Sequence, residues 1–143
     1  MKNSASDADN TNDSMPSYNT NVVNFAPLGD DSPHNLVEAK GVCSVIIVSY
    51  KTGEVLMDCI HSVLRQSKLH QLILVDNGNT KQAVQQLNEI ADKNPKFEII
   101  TGHGNVGFSK GCNLGVRRAR GEYILLLNPD SILQTDTLIP ALE

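Results

Sequence analysis

The chain has 143 residues, room for one domain, with 40% hydrophobic residues and a formal charge of −4. Three Tyr, three Phe and no Trp leave few rings for stacking bases, and the acidic balance gives no electrostatic footprint for DNA or RNA, so no nucleic-acid partner is expected. The longest strongly apolar runs, "SVIIV" and "YILLL", fall far short of the ~20 residues a spanning helix needs, so a cytoplasmic protein is expected, with peripheral association at the inner face of the membrane left open.

Residues 1–40 carry six acids (Asp7, Asp9, Asp13, Asp30, Asp31, Glu38) against two bases (Lys2, Lys40), and they are rich in Asn, Ser, Thr and Pro. Such a segment buries too little apolar surface to offset its ordering entropy, so a disordered tail is expected over 1–40. It also lacks the apolar core of a signal peptide. Residues 41–143 hold ten acids and ten bases and are expected to form the folded unit. The three cysteines, Cys43, Cys59 and Cys112, are widely spaced without a C-x-x-C, which reads as buried reduced thiols.

From Gly41 the texture changes. "VCSVIIVSY" is a continuous β-branched run, the mark of a strand covered on both faces. "KTGEVLMDCIHSVLRQ" follows with Val55, Leu56, Cys59, Ile60, Val63 and Leu64 at helical spacing. "QLILVDNGNT" is a second strand ending in a polar turn. "KQAVQQLNEIADK" is a second helix with Thr80 as N-cap and Ala83, Val84, Leu87, Ile90 and Ala91 facing inward. "PKFEIITG" is a shorter third strand nearer a sheet edge. "GFSKGCNLGVRRAR" is a third helix whose inward stripe is expected to be Phe108, Cys112, Gly115, Val116 and Ala119, with Arg117, Arg118 and Arg120 forming a solvated end. "GEYILLLNPD" is the fourth strand, and "TDTLIPALE" opens another helix.

Strands alternating with helices imply an α/β fold, a parallel Rossmann-like sheet with helical crossovers. Ligands of such sheets sit beyond the carboxyl ends of the strands, where the strand order reverses. The informative residues therefore lie just after each strand: Ser49-Tyr50, Asp76-Asn77-Gly78, the 102–110 loop and Asn128-Pro129-Asp130.

"GHGNVG" at 102–107 is a literal G-x-G-x-x-G between a strand and a helix, which supports an NAD-type dinucleotide site. Against it, two strand–helix units precede the loop, polar Ser109 and Lys110 follow its last glycine, and Asp130 comes after a proline turn. The competing reading uses all the strand ends together. Tyr50 offers a ring face, Asp76 an acceptor for a base or ribose, the glycines a close backbone approach, and Asp130 a hard oxygen for Mg²⁺ or Mn²⁺. Local alternatives stay open: Asx turns at Asp76 and Asp130, packing at Tyr50, a solvated charge at Lys110. His103 is read as a bystander of the loop, and His34, His61 and His70 have no ligand partners at useful spacing.

The segments "SVIIVSYKTGEVLMDCIHSVLRQ", "LILVDNGNT" and "GNVGFSKGCNLGVRRARGEYILLLNPDSIL" resemble the N-terminal, donor-binding half of family 2 glycosyltransferases of the GT-A fold, in the rhamnosyltransferase-like branch. The resemblance covers about residues 42–143. It implies that Ser49, Tyr50, Asp76, Asn105, Gly107, Lys110 and Asn113 belong to a nucleotide-sugar site, and that Asp130 is the last carboxylate of a D-x-D-like metal motif. The donor implied is a UDP- or dTDP-linked sugar, the acceptor a glycan or lipid-linked molecule, the cation Mg²⁺ or Mn²⁺, and the reaction an inverting single displacement. The departures are Lys51 where the family often has Asn, Asn79 where Ser is common, and Asn128-Pro129-Asp130 with one carboxylate. The family's acceptor half, with its general base, lies downstream of these motifs, so a donor-binding fragment inactive alone is expected, with a sheet cut after its fourth strand, an apolar face partly uncovered, and a tendency to dimerise. A non-catalytic nucleotide-binding remnant and an NAD-type domain are the other readings.

Overall fold

The computed structural model describes residues 22–24 and 39–143. The other residues of the expected tail lie outside the described set. Five parallel strands run in the order β1-β4-β3-β2-β5: β1 Val22–Asn24, β2 Ala39–Tyr50, β3 Leu69–Gly78, β4 Phe97–Thr101 and β5 Gly121–Leu127. Four helices connect or follow them: α1 Val55–Leu64, α2 Lys81–Lys93, α3 Phe108–Val116 and α4 Leu138–Ala141. The expected alternation is present, and within the span expected as a tail Val22–Asn24 forms β1 while Ala39 and Lys40 open β2. Val22–Asn24 pairs with β4 from Val22↔Ile99 to Asn24↔Thr101. The Val-Val pair has β propensity, and β4 offers it an unpaired backbone edge.

The two faces of the sheet are covered differently. Val45 and Ile47 of β2, Leu72 and Leu74 of β3, and Phe97 and Ile99 of β4 point to one side and pack with Leu56, Cys59, Ile60 and Val63 of α1 and Leu87 and Ala91 of α2. Alternate residues Ile46, Ile73, Val75 and Ile100 point to the other side, where they meet Leu114 and Ala119. This period of two is the strand rule, and it makes the central strands apolar on both faces. Thr80 caps α2 as expected, its Oγ1 accepting from Ala83 N at 3.1 Å.

Two helix expectations fail in part. Val55 is exposed at the start of α1. On α3, Phe108 (60% exposed) and Val116 face solvent, while Gly111, Cys112 and Gly115 are the buried residues. A Cβ at Gly111 would stand 2.8 Å from Val48 Cγ1, and one at Gly115 2.5 Å from Ile46 Cγ2. α3 thus lies directly on β2, with a stripe of minimal side chains in place of a large apolar one.

At the amino ends of the strands a polar cluster ties β5 into the sheet. Ser44 Oγ donates to Gln71 Oε1 at 2.8 Å, while the Arg120 and Gly121 amides donate back into this pair. Gln71 Nε2 donates to Glu98 Oε1 and to the Arg118 carbonyl. Arg118 is not the solvated end charge expected: its guanidinium meets Glu98 at 3.2 Å. Such partly exposed pairs contribute at most ~1 kcal/mol; the buried amide is the stronger anchor.

Candidate functional site

β2 is the first long strand. β3 and β4 follow on one side of it, whereas β5 returns to the other, so the order reverses between β2 and β5. A cleft of about 280 Å³ opens there, beyond the carboxyl ends of the strands, as expected for a sheet of this kind. β2 contributes Val48 and Tyr50, with Thr52 in the turn that follows. β3 contributes Asn77, and Pro129 closes the side after β5. Asn105, Gly107 and Phe108 form the rim from the glycine loop.

Of the expected site residues, Tyr50, Asn105 and Gly107 line this cleft. Tyr50 is 49% exposed, and its ring rests against Gly78: a Cβ on Gly78 would sit 3.1 Å from Tyr50 Cδ2 and Cε2. The Lys51 ammonium lies 5.2 Å from the ring centroid, within cation–π range. Asn105 Oδ1 accepts from Gly107 N at 3.0 Å and closes a tight turn. Gly107, at φ +83°, then starts α3. A Cβ on Gly107 would meet open space, so the position needs glycine for its dihedral and not for packing. In a dinucleotide fingerprint the third glycine serves close helix–strand contact. Here Gly111 and Gly115 do that, which counts against the NAD-type reading.

Ser49 and Asp76 do not line this cleft. Both point to the α1/α2 side of the sheet and are buried beneath the turns. Ser49 Oγ shares a hydrogen with Thr52 Oγ1 at 2.7 Å and donates to Asn79 Oδ1 at 3.1 Å. Asp76 is 7% exposed. Its Oδ1 accepts from Gly78 N at 3.0 Å and Asn79 Nδ2 at 2.7 Å, and its Oδ2 from Thr101 Oγ1 at 3.2 Å. Asp76 thus makes an Asx turn with Gly78. Asn79, standing where the resembling family commonly has Ser, joins the two turns: Asn79 Oδ1 also accepts from Thr52 N at 3.4 Å.

Lys110 and Asn113 are exposed on α3, outside the cleft lining. Asp130 is exposed in the turn after β5, closed by Ser131 N donating to Asn128 O at 3.1 Å. α1 holds this turn from beneath. Cys59 Sγ donates to Asn128 O at 3.6 Å, and Ser62 Oγ accepts from Leu133 N at 3.0 Å. Gln66 donates to Gln134 O at 2.7 Å and accepts from Leu138 N at 3.1 Å. Burial and the nearby Asp130 carboxylate, against a backbone hydrogen bond that lowers it, push the Cys59 thiol up to about 11. Burial also raises Cys43 and Cys112, so all three thiols stay protonated and free, as expected.

Strand-end spacing did not mark Thr52 or Asn79, and it marked Phe108 and Asn77 without a role of their own. Period-two alternation carried the missing signal: Tyr50 and Asn77 share the α3 face with Val48 and Val75, while Ser49 and Asp76 share the opposite one. Among the described residues no three His, Cys, Asp or Glu side chains converge. The donor set at Asp130 is one carboxylate, which does not fit a self-sufficient metal centre.

Comparison with known proteins agrees with this architecture. A sequence profile described as "Glycosyl transferase family 2" matches residues 44–143. Glycosyltransferase GlyG of Streptococcus pneumoniae serotype 4 is 26% identical over 96 residues, covering 66% of this chain and 32% of that protein. An uncharacterised glycosyltransferase of Haemophilus influenzae is 32% identical over 96 residues, covering 66% and 38%. The chain thus spans about a third of the length of these relatives. Among solved structures, S. aureus TarS 1-349 in complex with UDP-GlcNAc superposes with a TM-score of 0.61 at 22% identity, over 70% of this chain and 30% of that one. The mannosyltransferase PcManGT from Pyrobaculum calidifontis, in complex with GDP-Man and Mn²⁺, gives 0.59 at 15%, over 74% and 33%. The fold is that of GT-A enzymes, and the chain belongs to glycosyl transferase family 2.

Proposed function

We propose that the cleft between β2 and β5 receives the nucleoside diphosphate end of a sugar donor, UDP- or dTDP-linked. The complete enzyme would pass the sugar to a glycan or lipid-linked acceptor with inversion, in the rhamnosyltransferase-like branch. The observation that carries this reading is the position of the cleft: it lies at the reversal of strand order, with the exposed ring of Tyr50 on one wall and the glycine loop on the other. The complexes of TarS with UDP-GlcNAc and of PcManGT with GDP-Man support a nucleotide-sugar ligand.

The roles divide by chemistry. Tyr50, held by Gly78, offers an aromatic face to a base. The unpaired amides at the start of α3 favour a phosphate, and Lys110 adds a mobile positive charge one turn in. Asp130 is the rim carboxylate. A divalent cation bound with the donor would neutralise charge on the departing diphosphate. Because Asp130 is a single ligand, that ion is expected to enter with the donor and not before it. No general base is assigned among these residues.

A thermal melt with UDP or dTDP and Mn²⁺ tests the reading. A ligand at about 100 times its Kd adds ~2.7 kcal/mol, an upward shift on the order of 10 °C for a domain of this size. Asp130→Ala should melt like the parent without ligand, because the side chain is exposed, and should lose the manganese-dependent part of the shift. Protection by NADH with none by UDP or dTDP would overturn the reading. Manganese dependence surviving in Asp130→Ala would remove the metal assignment alone, and no shift with any nucleotide would leave the non-catalytic remnant.

A further inference from the structure

We infer that Asn77 and His103 form a brace that fixes the 102–107 loop in the shape that takes the donor's diphosphate end. The inference rests on the donor reading above. Asn77 is the penultimate residue of β3, on the α3 side, and is buried. Its Nδ2 donates to the Gly107 carbonyl at 3.0 Å, and its Oδ1 lies 2.9 Å from His103 Nε2. A carbonyl oxygen can only accept, so the Gly107 contact commits the amide nitrogen and turns the amide oxygen to His103. His103 Nε2 must then carry the proton and donate.

One side chain thereby ties two points of the loop, residues 103 and 107. The Gly107 carbonyl is also the first helical acceptor of α3, taking Gly111 N at 3.1 Å. Fixing that carbonyl fixes the direction in which the helix start presents its free amides. The segment needs such a device, because Gly102, Gly104 and Gly107 all have positive φ (91°, 71° and 83°). Glycines are the most expensive residues to order. The bond from Gly107 N to Asn105 Oδ1 is local and closes only the last turn of the loop. A loop ordered before binding does not have to be ordered by the ligand, and affinity gains accordingly.

The experiment compares His103→Leu, His103→Gln and Asn77→Asp with the parent chain. The readouts are calorimetric titration with UDP or dTDP in Mn²⁺, amide hydrogen exchange over 102–108 without ligand, and melting temperature. Glutamine can place an amide N–H near the position of Nε2; leucine cannot. Aspartate keeps an acceptor for His103 but sets an oxygen against the Gly107 carbonyl. His103→Leu and Asn77→Asp should each weaken nucleotide binding about tenfold, roughly 1.4 kcal/mol, and speed loop exchange. His103→Gln should keep both within about twofold of the parent; the two His103 variants should melt near the parent's temperature, and Asn77→Asp, which buries a carboxylate against a carbonyl, should melt lower. If His103→Leu binds and exchanges like the parent, the brace falls while the donor reading stands. If leucine and glutamine weaken binding equally without changing exchange, the imidazole itself meets the ligand and the brace is wrong. A parent that binds neither nucleotide removes the donor reading, and this inference with it.

Discussion

Asp76 and Asp130 are the same residue type near the carboxyl end of a strand, Asp76 within the last residues of β3 and Asp130 in the turn after β5, yet the chain uses them differently. Asp76 is buried and accepts from Gly78, Asn79 and Thr101, so it shapes the turn. Asp130 is exposed at the rim. Spacing located both; it could not tell which face of the sheet each would take, because that depends on register with neighbouring strands. Lys51 shows a similar limit. Its departure from Asn is legible, but its backbone at φ +48° is visible only in the fold. A left-handed conformation costs an L-residue ~1–2 kcal/mol and Asn less, and the Tyr50 contact returns ~0.5–1 kcal/mol at an exposed site. His103 yields a prediction at this scale. Burial lowers its pKa below the usual 6.5, and the Asp76 carboxylate opposes this with a smaller upward pull. The folded state therefore favours the neutral ring. Its contribution is fully present above about pH 6.5, the unfolded value, and is lost as the pH falls through the depressed folded pKa. Urea melts from pH 7.5 downward should show a stability loss below pH 6.5 that is smaller in His103→Gln. Equal losses in the two proteins would show that His103 does not contribute.

At the scale of elements, period-two and helical spacing identified the four long strands and their connecting helices, but misjudged the packed side of α3. A large apolar stripe was expected, and the structure instead buries Gly111, Cys112 and Gly115. Nothing in the sequence states how close a helix will lie to its sheet. The clue is two glycines four apart in a helix, where each costs helix propensity. Gly115→Ala separates the two effects. Propensity alone favours alanine by ~1 kcal/mol in a helix interior. The new Cβ would be 2.5 Å from Ile46 Cγ2, a methyl on a stiff β-branched stem in a central strand. Overpacking of this kind costs about 1–3 kcal/mol, so the steric term should win. Urea denaturation should show Gly115→Ala less stable than the parent by up to about 2 kcal/mol, with exposed Val116→Ala close to neutral. A stabilised Gly115→Ala would mean that α3 can ride higher on β2 than the structure has it.

For the whole molecule, alternation gave the parallel sheet, but the order of its strands came only from the fold, because crossover length does not say on which side of β2 a strand is added. That order creates the cleft, and it also decides what is left bare. Among the described residues β5 has β2 on one side and no strand on the other. Ile124 and Leu126 pair in register with Ser44 and Ile46 and so lie on the α3 face, where they stay 46% and 49% exposed. The strand "GEYILLL" carries neither Lys nor Pro, the usual protections of an edge. Its one charge, Glu122, is engaged with the Gly41 amide at 2.6 Å. An apolar edge of this length offers both backbone hydrogen bonds and a greasy face to another copy. Sedimentation velocity across a concentration series should show self-association of the chain, and Leu126→Lys should weaken it by placing a charge in the bare face without touching the buried core. A parent that stays monomeric at every concentration, or a Leu126→Lys variant that associates as strongly, would show that α3 and the turns beyond β5 shield this edge better than its exposure indicates.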